Sequence, residues 1–117
     1  MLFEVPSPTV SKDDERYALR VSHDPGTFVI EAYGELDAHA ARQMGSLIEQ
    51  GESASVDRIL VDLSGVDSMA AAGMKVLADA DARSRANGHR LALLRAPDPV
   101  QRAIERLCAA PSLPFID

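Results

Sequence analysis

Arg58-Ile59-Leu60-Val61-Asp62-Leu63-Ser64-Gly65-Val66-Asp67-Ser68-Met69-Ala70-Ala71-Ala72-Gly73-Met74-Lys75-Val76-Leu77 is the stretch that decides the fold. Its first six residues form a short, almost continuous apolar run, the pattern of a strand covered on both faces. Ser64-Gly65 ends that strand. A helix follows from about Ala71 to Asn87, and Gly88 stops it. Met74, Leu77, Ala78 and Ala82 form its expected buried stripe. Lys75, Asp79 and Arg83 sit four apart on the other side, alternating charges that support the helix weakly. A strand that feeds a helix through a short loop is the unit of a parallel α/β sheet.

Upstream, Tyr17, Leu19 and Val21 alternate with Ala18 and Arg20, which reads as a strand. Thr27 to Tyr33 is rich in β-branched and aromatic residues and reads as a second. The turn composition His23-Asp24-Pro25-Gly26 makes the pair an antiparallel hairpin. Asp37 then caps a helix whose apolar residues are Ala40, Met44, Leu47 and Ile48. Gly45 inside that stripe costs about 1 kcal/mol relative to Ala, and Gly51 is the expected stop. Downstream, Leu91 to Leu94 reads as a buried strand. Asp98 is the expected cap of a last helix, with Pro99 in the first position and Gln101 placed for a capping box. Val100, Ile104, Leu107 and Cys108 are its stripe, Pro111 ends it, and Phe115-Ile116 closes the chain as a short strand. The order is β-β-α-β-α-β-α-(β). It predicts an α/β fold with an N-terminal hairpin, then parallel strands joined by right-handed crossovers, helices covering the sheet.

Length argues for a single domain: 117 residues. Residues 1–14, with Pro6, Pro8 and a Lys-Asp-Asp-Glu run, read as a mobile tail before a domain spanning 15–117. Docking of Leu2, Phe3 and Val5 as an edge strand is the minority reading. Hydrophobic residues make up 46% and aromatics only 4%, so the core is aliphatic. Net charge is −6, which phosphate backbones repel, so nucleic acid is not an expected partner. Arg83-Ser84-Arg85, the longest basic stretch, reads as a solvated helix face beside Asp79 and Asp81. No run is long enough to span a membrane, and the start lacks a secretory signal, so a cytoplasmic protein is expected.

Catalytic candidates are few. Cys108 is the only cysteine and falls on an apolar stripe, where a free thiol behaves as a small hydrophobe. His23, His39 and His89 are not paired at metal-ligand spacing and read as surface residues. Gly65 and Gly73 are followed by no Gly-Lys-Ser/Thr, which rules out a P-loop. Asp62 and Asp67 flank a strand end. There they either cap a turn, the favoured reading, or hold Mg²⁺ with a phosphoryl group. No cofactor and no metal site are expected. The remaining feature is the loop from Asp62 to Gly73. In open parallel sheets ligands and partners meet the carboxyl ends of strands, and a helix start favours an anion. Met69-Ala70-Ala71-Ala72-Gly73 is small and apolar, consistent with tight packing or with a contact surface that loses little side-chain entropy.

These residues resemble the STAS family, anti-sigma-factor-antagonist type. Members read close to Asp-Leu-Ser-Gly-Val, a few apolar residues, then Asp-Ser-Ser/Thr-Gly-Leu and a helix. Here Asp62-Leu63-Ser64-Gly65-Val66 matches in full, and Gly73-Met74-Lys75-Val76-Leu77 matches the helix start. Gly34-Glu35-Leu36-Asp37 resembles the family's Gly-x-(Leu/Ile/Val)-Asp at the entry to its first helix. The likeness runs from about Tyr17 to Asp117. It implies a mixed four- to five-stranded sheet and a bacterial binding protein, not an enzyme. Antagonists of this type bind an anti-sigma factor that is also a Ser/Thr kinase with a histidine-kinase-like ATPase fold. Binding frees the sigma factor for transcription, and phosphorylation of the motif Ser ends binding.

The departure comes at the acceptor. Alignment without gaps puts Ala70 at the motif Asp, Ala71 at the phosphoacceptor Ser and Ala72 at the next Ser/Thr. Alanine has no hydroxyl, so the added charge of about −2 that works the usual switch is not available at Ala71. Ser68, after Asp67, is the alternative acceptor, against a reading as a hydroxyl that bonds local backbone. The expected partner surface comprises Gly34, Glu35, Asp37, Ser64, Ser68, Met69, Ala70, Ala71, Ala72, Gly73 and Lys75, on a monomer or weak dimer. Two alternatives stand beside it: an accessory subunit of another assembly, such as a lipid-transport ATPase or a stress-sensing complex, and a nucleotide-binding domain using Asp62, Asp37 and the helix start.

Overall fold

The computed structural model describes residues 16–88, 90–108 and 113–116, apart from the side chains of residues 24, 107 and 108. The expected tail, the reading of Leu2, Phe3 and Val5 as an edge strand, His89, the Leu107 and Cys108 side chains and the Pro111 stop lie outside the described residues.

Alternating apolar residues make β1 (Tyr17–Asp24) and β2 (Thr27–Leu36) an antiparallel pair. Their turn is tighter than the composition suggested. His23 and Asp24 stay in the strand, and only Pro25 and Gly26 connect it, with Gly26 at φ +84°. Helix α1 (Ala38–Ser53) follows, then β3 (Arg58–Met69), α2 (Ala71–Ala86), β4 (Leu91–Leu94), α3 (Asp98–Cys108) and β5 (Phe115–Ile116). The sheet order is β1-β2-β3-β4-β5, and every pairing after the hairpin is parallel. The five-stranded mixed sheet and its three helices are the fold expected from the element order.

Each crossover moves one strand further in the same direction. Right-handed connections of that kind put all their helices on one face, and α1 packs on α2, and α2 on α3. The core lies between that layer and the sheet. Leu19, Ile30, Val61, Leu63 and Leu93 face Met44, Ile48, Leu77 and Ile104, all buried. The alternate positions Glu31, Tyr33, Leu60 and Asp62 are half-buried or exposed. The apolar run Arg58–Leu63 is therefore covered on one face, not on both as its composition suggested.

Three further expectations are corrected. Gly51 does not stop α1, which continues to Ser53 with Ala54 as its cap. A Cβ at Gly51 would stand 2.7 Å from the Phe28 ring, so the glycine is there to let α1 approach β2. The buried side of α2 is Gly73, Met74, Leu77, Ala80 and Asp81, while Ala78 is half-buried and Ala82 exposed. So many small residues leave the helical period faint in the sequence. Asp98 is the first residue of α3 and not its cap, since the Gln101 amide donates to the Pro97 carbonyl (2.8 Å). Gln101 still reaches back as a capping residue would. Pro97 has no N–H, so the buried Gln101 Oε1 accepts from the Ala96 amide instead (3.0 Å).

Candidate functional site

The two motifs come together because β2 and β3 run parallel. Gly34 lies opposite Val66, Glu35 opposite Ser68 and Leu36 opposite Met69. The Ala70 amide then donates to the Leu36 carbonyl (2.9 Å) and closes the ladder at the entry to α2. Both strands continue past their expected ends, β2 to Leu36 and β3 to Met69. Ser64-Gly65 does not end β3 but marks a register shift between Glu31 and Tyr33 in the pairing with β2. There Asp62 Oδ1 accepts from the Ser64 amide (2.9 Å) and hydroxyl (2.7 Å). Asp62 thus takes the local capping role. Gly65 has no side chain because the Tyr33 ring occupies the space a Cβ would need.

Gly34 is fixed by its backbone. Its φ is +84°, and a Cβ would run into the Arg16 carbonyl, to which the Glu35 amide donates (2.8 Å). Asp37 performs the predicted cap, its Oδ1 accepting from the Ala40 amide at 2.9 Å. Its carboxylate is therefore engaged with α1, while the carboxylate of nearby Glu35 is exposed and forms a long ion pair with Arg16 (3.9 Å).

The start of α2 has no such cap. Ala70 stands at the N-cap in extended geometry (φ −74°, ψ 162°) without a side-chain hydrogen bond, and the first turn has no acidic residue. Within the helix start its carbonyl accepts from the Gly73 (2.9 Å) and Met74 (3.3 Å) amides. Ala70, Ala71, Ser64, Ser68 and Lys75 are exposed, Gly34, Met69 and Ala72 half-buried, and Gly73 buried. Gly73 acts as a packing contact, since a Cβ there would meet Met69 Cγ at 2.7 Å. Lys75 pairs with Asp79 at 2.9 Å on the open surface, where such a pair contributes little. The Ser64 hydroxyl is held by Asp62. Residues 35, 37, 68, 70, 71 and 75 thus form one exposed rim at the carboxyl ends of β2 and β3.

The profile of a domain family described as "Mlab, STAS domain" matches residues 19–109. The chain belongs to the STAS domain family. Two solved structures have the same fold. One is an anti-sigma factor antagonist from Mycobacterium paratuberculosis, with 21% identity over 92% of this chain and 89% of that one, at a TM-score of 0.71. The other is the anti-sigma factor antagonist SpoIIAA in its unphosphorylated form, with 24% identity over 85% and 87% at a TM-score of 0.62. No curated protein matches the sequence.

One residue of this STAS domain's rim went unnoticed in the sequence. Tyr33 read as part of a strand, yet it is 40% exposed and lies over Gly65 beside the Ser64 turn. Partial burial, and then the Glu31 carboxylate, hold its phenol above the ordinary tyrosine range. The signal was present in the DLSGV glycine: a Gly inside a strand marks a close approach. Among the described residues no three His, Cys, Asp or Glu side chains are grouped to hold a metal ion, and no helix is long and apolar enough to cross a membrane.

Proposed function

We propose that this STAS domain acts by binding, as an anti-sigma-factor-antagonist-like module, and that the rim of residues 34–37 and 64–75 is its partner surface. The partner is an anti-sigma factor of the histidine-kinase-like ATPase fold, in a bacterial cytoplasm, and the output is sigma-factor-dependent transcription. One observation carries the reading: the two family motifs lie side by side in the β2–β3 ladder, with an exposed alanine where the family places its phosphoacceptor. The likeness to two anti-sigma factor antagonists supports the same role. Because Ala71 has no hydroxyl, the module is not switched there and stays competent to bind. Regulation then falls to abundance or to competition by another partner.

The test is binding of the full chain to an anti-sigma ATPase domain by calorimetry, with Ala71→Glu as the variant. Ala71 is exposed in the first turn of α2, so the substitution disturbs no core, and an acid there suits the helix dipole. Binding lost in a variant of unchanged stability supports the surface. Binding unchanged contradicts it. The missing hydroxyl also favours a second reading, a permanently bound subunit of another assembly such as a lipid-transport ATPase. Co-purification with a membrane ATPase and not with a kinase would favour that reading.

A further inference from the structure

A second site lies at the opposite end of the sheet, at the amino ends of β3 and β4. A cavity of about 430 Å³ opens there between the last turns of α1 and α2. Its walls are Ile59 and Leu91 on the apolar side and Glu52, Arg83, Ser84, Asn87 and Arg90 on the polar side. The size falls in the range of small-molecule sites, roughly 300–1,000 Å³.

The Glu52 carboxylate, the Ser84 hydroxyl oxygen and several carbonyls of the wall already accept hydrogen bonds. Arg90 donates from its two Nη atoms to the carbonyls of Glu52 (2.9 Å) and Val56 (3.1 Å), which offsets the negative end of α1. Asn87 donates its side-chain amide to the Arg83 carbonyl (2.8 Å) and its backbone N–H to the Ser84 carbonyl (3.0 Å). Ser84 Oγ accepts from the Leu91 amide (3.0 Å). Both Glu52 carboxylate oxygens accept from Arg83 Nε, at 3.0 and 3.1 Å.

Donors remain. Both Nη groups of Arg83, Nε of Arg90, the Ser84 hydroxyl proton and the second Asn87 amide proton have no partner among the described residues. Two guanidinium groups and one carboxylate line the cavity, an excess of one positive side-chain charge beside the carboxyl ends of α1 and α2. In the stretch Arg83-Ser84-Arg85, expected as a solvated face, Arg85 is exposed while Arg83 and Ser84 are half-buried and line this wall.

We propose that the cavity binds a small organic oxyanion carried on an apolar body. The oxyanion is held by Arg83 Nη and Asn87, and the body lies on Ile59 and Leu91. The inference does not depend on the partner surface at the other end of the sheet.

The experiment is a ¹H–¹⁵N NMR titration of the full chain with phenyl phosphate, benzoate, inorganic phosphate and phenol. Saturable shifts are expected at the Asn87, Arg90 and Leu91 amides and at Arg83 Nε–H. Phenyl phosphate or benzoate should bind at least about tenfold more tightly than neutral phenol, and more tightly than inorganic phosphate. Whichever organic anion binds better identifies the headgroup. The paired variant Glu52→Gln/Arg83→Gln, which leaves no unpaired charge, should weaken binding about tenfold. Asn87→Ala keeps the Arg83–Glu52 pair and should weaken it less. No saturable shift, shifts that map elsewhere, equal binding of phenol, or affinity unchanged in both variants would overturn the assignment.

Discussion

Gly45 and Gly51 sit six residues apart in α1, and the same substitution should have opposite effects at the two. In a helix interior Gly→Ala is worth roughly 0.5–1 kcal/mol through the backbone alone. At Gly45 the new methyl would lie 3.6 Å from Val76 Cγ1 and Cγ2, ordinary contact distance across the α1–α2 interface. Gly45 is half-buried, so the methyl adds a fraction of the ~0.8 kcal/mol of a fully buried CH₂. Gly45→Ala should stabilise by about 1 kcal/mol. At Gly51 the methyl would stand 2.7 Å from Phe28 Cδ2 and 3.2 Å from Cε2 and Cγ. Phe28 is itself buried in β2 and has little room to yield. Overpacking of that kind costs about 1–3 kcal/mol, which offsets or exceeds the helix gain. Gly51→Ala should therefore be neutral to ~2 kcal/mol destabilising, and the two variants should differ by roughly 2 kcal/mol. Urea unfolding followed by far-ultraviolet circular dichroism measures both, on the two-state behaviour usual for a domain this small. Two midpoints that rise together, with unchanged slopes, would refute the packing of α1 on β2 described above.

Helix caps give a second contrast. Asp37→Ala removes an observed cap and should cost about 1 kcal/mol, while Ala70→Asp supplies one where α2 has none and should return a similar amount; the same unfolding curves decide both. Tyr33 should ionise above an ordinary tyrosine, as followed by ultraviolet absorbance, and Glu31→Gln should bring it down, since it removes a neighbouring charge that opposes the phenolate. An unmoved titration would mean that Glu31 does not act on the phenol.

Local signals in the sequence were read correctly where the structure answers to them locally. The alternation of β1, the Asp37 cap and the strand at Phe115-Ile116 each depend on a few adjacent residues. The misreadings have distant causes. Gly51 looked like a stop because nothing nearby announces Phe28, which approaches from a strand more than twenty residues earlier. Ser64-Gly65 looked like a strand end because a register shift and a turn share the same residues. Its meaning depends on Tyr33 across the ladder. Arg83 looked solvated until α1 brought Glu52 to it (3.0 Å). The candidate rim was legible because each half is a contiguous motif. That the halves touch follows only from the parallel pairing of β2 with β3.

The most direct test of the central claim is intact-mass measurement of the chain after incubation with an anti-sigma ATPase domain, the proposed partner, and Mg²⁺-ATP, followed by gel filtration. The account predicts no added phosphate and a complex that persists in ATP. A phosphate on Ser68 or Ser64, with release of the partner, would contradict it.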